Sequence, residues 1–424
     1  MSMIMKNSGI PWIGEIPSHW DTCFIKQVMR NKSVKGYPDE QVLSLYRDYG
    51  VVPKDSRDDN HNVTSEDTSG YKLVDVGDFV INKMKAWQGS MAVSEYRGII
   101  SPAYYICRFT APVYKKYIHY LLRNETYKAE YMRLSTGLRV GQWDLNVDDF
   151  LHIPMVLPPI PEQQAIADFL DKKCGEIDEM VSLQEKIVEE LKAYKQSVIT
   201  EAVCKGLNPN APMKESGIEW IGQIPIDWGI IRLRYIFGII GGNGFKDELQ
   251  GQESGDYPFY KTSDLNGTQP FISDSSNYVN EETALREKYN IIPRNAIIVS
   301  KIGAALYKNH RRIASQECCI DNNLEALLPL RNDCIKYLFY LLKCIDLGWF
   351  DNKGTIPSVN NAKLKDFFVP NIPSTEQQAI ADYLDTKCAE IDTLISLKQS
   401  KIDALKEYKK SIIYEYITGK KEVI

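Results

Sequence analysis

The sequence predicts an α+β protein built twice. Two similar mixed domains are each followed by a long α-helix, and the two helices lie antiparallel as a coiled coil about an internal pseudo-two-fold axis. Three observations predict this. "EQQAIADFLDKKCGEID" (Glu162 to Asp178) returns as "EQQAIADYLDTKCAEID" (Glu376 to Asp392), 214 residues on, with 14 of 17 positions identical. "SGIPWIGEIPSHW" (Ser8 to Trp20) returns as "SGIEWIGQIPIDW" (Ser216 to Trp228), with nine of 13 identical at an offset of 208. The regions between, 21–158 and 229–372, share a skeleton but little identity. A period this long is a duplicated domain, not a solenoid unit.

Taken in order, each element has its own signal. "GDFVINKM" (77–84) and "NAIIVSKI" (295–302) are apolar strands that end in a lysine, Lys83 and Lys301. "YIHYLLR" (117–123) and "YLFYLLK" (337–343) read as amphipathic helices. Strands rich in Val, Ile and Tyr mix with short helices between Gly and Asn turns. The repeated segments then read as rods. No Gly or Pro interrupts 176–203 or 390–417, and about 42 residues at ~1.5 Å each give roughly 60 Å. Pro161 suits the first turn of one rod, and Ser374 with Gln377 fits a capping box on the other. Apolar residues recur at Ile177, Met180, Ile187, Leu191 and Tyr194, and at Ile391, Leu394, Leu405, Tyr408 and Ile412. Such a stripe needs a partner, either the other rod or another chain. Gln184 and Lys398 interrupt it, so the seam is imperfect or shared. The expected boundaries are 1–158 and 208–372 for the domains, and 159–207 and 373–424 for the helices.

Composition narrows the function. Hydrophobic residues at 44% and charged residues at 25% are ordinary for a globular protein. No window approaches a membrane span, and the N-terminus lacks a secretory pattern. Nine cysteines without C-x-x-C spacing and five scattered histidines argue for free thiols in a reducing cytoplasm and against a metal site. The net charge of −5 taken alone disfavours nucleic acid, but Glu162 to Glu190 by itself holds nine acids against three bases. Basic clusters lie elsewhere, around Lys115–Arg139 and in "KIGAALYKNHRR" (Lys301 to Arg312), and it is the local field that decides where a phosphate backbone sits.

Motifs for chemistry are missing. "LPPI" (Leu157 to Ile160) lacks the polar and aromatic ends of an adenine-methyltransferase site and reads as a hinge. "GGNGFK" (Gly241 to Lys246) lacks the K-[ST] of a phosphate loop. No Ser/His/Asp constellation emerges.

The order of the tryptophan-rich motif, a variable region, "LPPIPEQQAIADFLDKKCGEID" and a long helix, all repeated, resembles the specificity subunit of type I restriction–modification systems over essentially the whole chain. The resemblance implies a DNA-binding, non-catalytic subunit in the cytoplasm, serving DNA methylation and defence against foreign DNA. Each variable region would be a target-recognition domain reading one half of a bipartite double-stranded DNA target, asymmetric because the two regions differ. The helices would set the spacer and dock two modification subunits, with restriction subunits joining the complex. No cofactor belongs to this chain; S-adenosylmethionine is expected on the modification subunits. The stripe residues named above are the expected docking positions.

Base reading needs donors and acceptors on loops or strand ends, with Lys and Arg nearby for phosphates. Lys83, Lys85, Trp87 and Gln88, with Arg139, Gln142 and Trp143, are the candidates in the first region. Lys261, Ser263, Lys301, Lys308, Asn309, Arg311, Arg312, Thr355, Ser358 and Asn360 are those in the second. Trp12, Trp20, Trp220 and Trp228 recur in both copies and read as packing anchors. Two other classes stay open: a self-contained enzyme with an unrecognised core, and a coiled-coil adaptor with protein-binding heads. Methylation by the chain alone marks the first, and salt-insensitive binding marks the second.

Overall fold

A computed structural model describes residues 4–47, 49–57, 64–65, 67–137, 143–267 and 269–423. Contacts group the chain into two units, one comprising Met1–Glu185 with Gln399–Ile424 and the other Lys186–Lys398.

The first unit is built on an antiparallel sheet of order β1-β4-β2-β3, formed by β1 (Met29–Lys32), β2 (Phe79–Asn82), β3 (Met91–Val93) and β4 (Tyr104–Phe109). The apolar run of β2 is buried at Phe79, Val80 and Ile81, as expected of a central strand covered on both faces. Helix α1 (Lys115–Arg123) turns Tyr117, Ile118, Leu121 and Leu122 inward. Helix α2 (Glu125–Leu134) starts where the Asn124 side chain accepts from the Thr126 N–H at 2.9 Å, an ordinary N-cap. Asn146 caps α3 (Val147–Leu151) in the same way, and Phe150 of α3 stacks on Phe79 at 6.2 Å.

The second unit repeats this frame. Its sheet has order β5-β9-β7-β8-β6, with β5 (Phe237–Gly241), β6 (Phe271–Ile272), β7 (Ile297–Ser300), β8 (Arg311–Ala314) and β9 (Leu324–Pro329). Strand β6 is an addition, and it pairs parallel with β8. Besides α5 (Glu281–Glu287) and α6 (Ala304–Tyr307), this unit has α7 (Ile335–Lys343) and α8 (Asn361–Asp366), the counterparts of α1 and α3.

The rods are α4 (Ile160–Lys205, 46 residues) and α9 (Ser374–Ile417, 44 residues). They pack antiparallel in both units. In the first, Lys409 meets Asp178 at 2.6 Å and Lys406 meets Glu185 at 3.1 Å, so moving up one helix moves down the other. In the second, Lys195 meets Asp392 at 2.6 Å.

Each tryptophan motif grips a helix start and a helix end. The indole N–H of Trp20 donates to Glu162 at 2.8 Å, and that of Trp228 donates to Glu376 at 3.0 Å. Helix α9 ends at Gly419 (φ +68°), where a Cβ would come within 2.3 Å of Pro17 and 3.0 Å of Trp20. Only glycine fits this left-handed, crowded position. Gly206 (φ +77°) closes α4 against Trp228 in the same manner. Trp20 and Trp228 are therefore buried packing anchors.

One expectation is corrected. Ser374 and Gln377 do not form a capping box, because Ser374 already lies inside α9. The buried Gln377 instead accepts from the Cys334 N–H at 2.8 Å and donates to Asp333 at 2.8 Å, which fixes the start of α7. Gln163 does the same for α1 through the Tyr114 N–H, also at 2.8 Å. The apolar stripe, for its part, is the imperfect seam that its interruptions imply. Ile177, Ile391 and Ile412 are buried and Ile187, Leu191 and Leu405 half-buried, whereas Met180, Tyr194, Leu394 and Tyr408 point to solvent.

Candidate nucleic-acid interface

In the first unit, Lys83 directly follows β2 and opens a 3-10 turn over Lys83–Gln88. The Asn82 side chain caps this turn by accepting from the Met84 N–H at 3.2 Å. Lys83 pairs with Asp144 at 3.3 Å. The indole of Trp87 meets Trp143 edge-on at 5.1 Å and donates to the Met84 carbonyl at 3.2 Å. The structure thus brings Lys83, Trp87 and Trp143 together, with Lys85 exposed beside them and Gln88 half-buried. Arg139 and Gln142 lie outside the described residues. Tyr105 of β4 faces the same corner, and burial, then the charge of Asp144, pushes its phenol up.

The second unit places Lys301 at the same point, directly after β7. A tight loop over 351–359 lies against it: the Gly303 N–H donates to the Pro357 carbonyl at 2.8 Å, and the Val359 N–H to the Lys301 carbonyl at 2.9 Å. Asp351 holds this loop, accepting from the Tyr307 hydroxyl at 2.8 Å and from the Lys353 and Ser358 N–H groups at 3.1 Å. Thr355 is exposed at the tip and Ser358 half-buried at the base. Lys308 and Ser263 are exposed. Lys261 donates to Gln250 at 2.5 Å and lies 5.4 Å from the Phe245 ring centroid, a cation–π distance.

Several candidates turn out to hold the scaffold. The Asn360 side chain caps α8, accepting from the Ala362 and Lys363 N–H groups at 3.1 Å. Asn309 has φ +54° and ties its turn to the next segment through the Leu347 N–H at 2.8 Å and Asp346 at 2.7 Å. Arg311 and Arg312 were expected on a loop; they form part of strand β8 and are 4% and 8% exposed. Arg311 donates to the carbonyls of Asn309 and Ile345, and burial lowers its pKa to about 10. Arg312 donates to the Phe271 carbonyl at 2.6 Å. Carbonyls, not carboxylates, accept from the terminal nitrogens of these guanidinium groups, and the Nε of each is buried without a partner among the described residues.

Sequence reasoning missed Glu325, which is 1% exposed in β9. One of its oxygens accepts from the Asn361 side chain at 2.9 Å, the other has no hydrogen-bond partner, and burial pushes its carboxyl pKa up. The available signal was a lone acid within the apolar run "LEALLP".

On the helices, Met180, Leu183 and Tyr408 of the first unit are 43–56% exposed, and Leu394, Leu397 and Tyr194 of the second are 46–61% exposed. The 214-residue offset carries each of these residues onto its counterpart. Leu183 and Leu397 were not among the expected stripe. Among the described residues no group of His, Cys, Asp or Glu could hold a metal ion, and no helix is long and apolar enough to cross a membrane.

Comparison with known proteins gives this arrangement a class. The family model for the type I restriction modification DNA specificity domain matches twice, over 17–196 and 225–418, so the chain belongs to that family. It is 24% identical over 437 residues to the putative type I restriction enzyme MjaX specificity subunit of Methanocaldococcus jannaschii, covering 96% of this chain and 95% of that one. It is also 24% identical over 291 residues to the EcoR124I/EcoR124II specificity subunit of Escherichia coli, covering 66% and 63%. In fold it is similar to a chain solved in work on complex assembly and conformational transition of the type I R-M system, with TM-score 0.71, 16% identity and coverage of 95% and 98%. It is likewise similar to the HsdS subunit of Thermoanaerobacter tengcongensis, with TM-score 0.51, 16% identity and the same coverage.

Proposed function

We propose that this chain is the non-catalytic DNA-specificity subunit of a type I restriction–modification complex, with each recognition domain reading one half of an asymmetric bipartite target. One observation carries the reading: a single frame, repeated, presents different chemistry at the same corner. The first domain offers a Lys83–Asp144 pair beside two tryptophans, and the second a lysine with no ion pair among the described residues, beside a polar loop. Different donors and acceptors at equivalent positions select different bases, so the two half-sites differ.

The helices set the spacer and dock two modification subunits. The duplicated exposed triads support this, since matched apolar patches next to acidic helix faces suit two copies of one partner. The modification subunits carry S-adenosylmethionine and transfer the methyl group, and restriction subunits complete the assembly in the cytoplasm. Exchanging residues 208–372 for the corresponding region of another family member tests the division of labour. One half of the modified motif should change while the other stays. A change in both halves would refute independent reading.

A further inference from the structure

The two variable regions share little identity, yet each grips its long helix with the same side chains. Helix α1 carries Lys116 and Tyr120, and α7 carries Lys336 and Tyr340 at the same spacing. In the first unit Asp171 of α4 divides its carboxylate between them. Its Oδ2 accepts from the Lys116 ammonium at 2.7 Å and its Oδ1 from the Tyr120 hydroxyl at 2.7 Å. In the second unit Asp385 of α9 does the same, with Lys336 on Oδ2 at 2.5 Å and Tyr340 on Oδ1 at 2.8 Å. The 214-residue offset carries Asp171 onto Asp385. An offset of 220 carries Lys116 and Tyr120 onto Lys336 and Tyr340.

Each of these locks stands at one distance from the clamp at its helix start. Gln163 and Gln377 accept from the Tyr114 and Cys334 N–H groups. They precede Asp171 and Asp385 by eight residues, or about 12 Å of helix. Hydrogen bonds at one place leave a domain able to swing about it, whereas a second place along the same helix fixes the angle. Apolar packing between the two places has no preferred direction. The lysine–aspartate pairs are partly exposed, so they add little to overall stability. Angle is what remains for them to set. Neighbouring base pairs lie about 3.4 Å apart along a strand, so a protein that accepts one spacer length must hold each reading domain more finely than that.

We propose that Asp171 and Asp385 are positioning residues that set the angle of each recognition domain on its own helix. Through them the complex accepts one spacer between the half-sites and rejects those one base pair shorter or longer. The helices give the spacer its length, and these locks give it its tolerance. The inference rests on the reading of this chain as a two-part DNA reader.

The test uses the chain in complex with the modification subunits of its host. The wild-type motif is mapped first, in cells free of other methylation. Binding is then measured to duplexes that keep both half-sites and carry the wild-type spacer, one base pair fewer, or one more. In D171A and in D385A the preference for the wild-type spacer should fall roughly 10-fold, with the base preference at each half-site unchanged. Y120F/Y340F removes only the two hydroxyls, keeps both rings, and should relax the spacer in the same direction. Weaker binding by one factor to all three duplexes would mean that the aspartates only support the fold, and overturns the proposal. A spacer preference left at the wild-type value in Y120F/Y340F overturns it too. A wild-type complex with no bipartite motif would instead sink the underlying reading, at the first step.

Discussion

The ammonium of Lys409 grips both carboxylate oxygens of Asp178, at 2.6 and 2.7 Å, and the repeat reproduces the grip: Lys195 holds Asp392 at the same two distances. The 214-residue offset carries Asp178 onto Asp392 and Lys195 onto Lys409, so one antiparallel register is written into the chain twice. These pairs are partly exposed, and such pairs contribute about 0–1 kcal/mol. K409D should therefore lower stability by less than about 1 kcal/mol, and D178K/K409D should recover most of the loss in a denaturant melt. A large loss that the double variant does not recover would mean the pair does not set the register.

Buried hydrogen bonds at the helix starts matter more. W228A opens a large cavity and strands Glu376, and should cost about 3–5 kcal/mol. Q377A leaves the Cys334 N–H without an acceptor and should cost about 1–3 kcal/mol. W20A and Q163A should behave alike in the first unit. Chemical denaturation with fluorescence and far-UV detection measures all four, and costs below about 0.5 kcal/mol would deny the clamp its role.

His119 makes the first unit acid-sensitive. It accepts from the Val93 N–H at 3.3 Å and lies beside Arg123, and burial, then that guanidinium, lowers its pKa to about 3 from the usual 6.5. The unfolded chain takes up the proton first, so the contribution is complete above about pH 6.5 and falls away from there towards pH 3. About 3 kcal/mol should be lost by pH 4 through this group. The equivalent residue of the second unit is Phe339. H119F should flatten the stability–pH curve over that window; a curve as steep as the wild type would show that another group controls it.

Inserting four residues between Glu190 and Thr200 adds about 6 Å of helix. In the proposed function it should lengthen the preferred spacer and leave both half-sites as they were. Methylation mapping reads both at once, and an altered half-site would refute the helix as ruler.

The sequence showed the duplicated frame because selection for packing leaves identity behind: Trp20 with Glu162, and Trp228 with Glu376, form one such clamp in each unit. Lys83 and Lys301 were legible as strand-end lysines because their strands are uninterrupted apolar runs. Burial of arginine was not legible. Arg311 and Arg312 look like loop residues until the fold brings the carbonyls of Ile345 and Phe271, distant in sequence, against their terminal nitrogens. Asn360 and Asn309 carry the same donors and acceptors as base readers, and only the backbone around them shows that those atoms are already engaged. Glu325 was hidden for the opposite reason, as one acid in a run whose neighbours are all core.

The central claim is that this chain selects a DNA target in two unlike halves. The direct measurement is genome-wide mapping of modified adenines in a methylation-free host that expresses the modification subunits with and without the chain. The account predicts one split, asymmetric motif that appears only with the chain. A stable complex that modifies no such motif would contradict it.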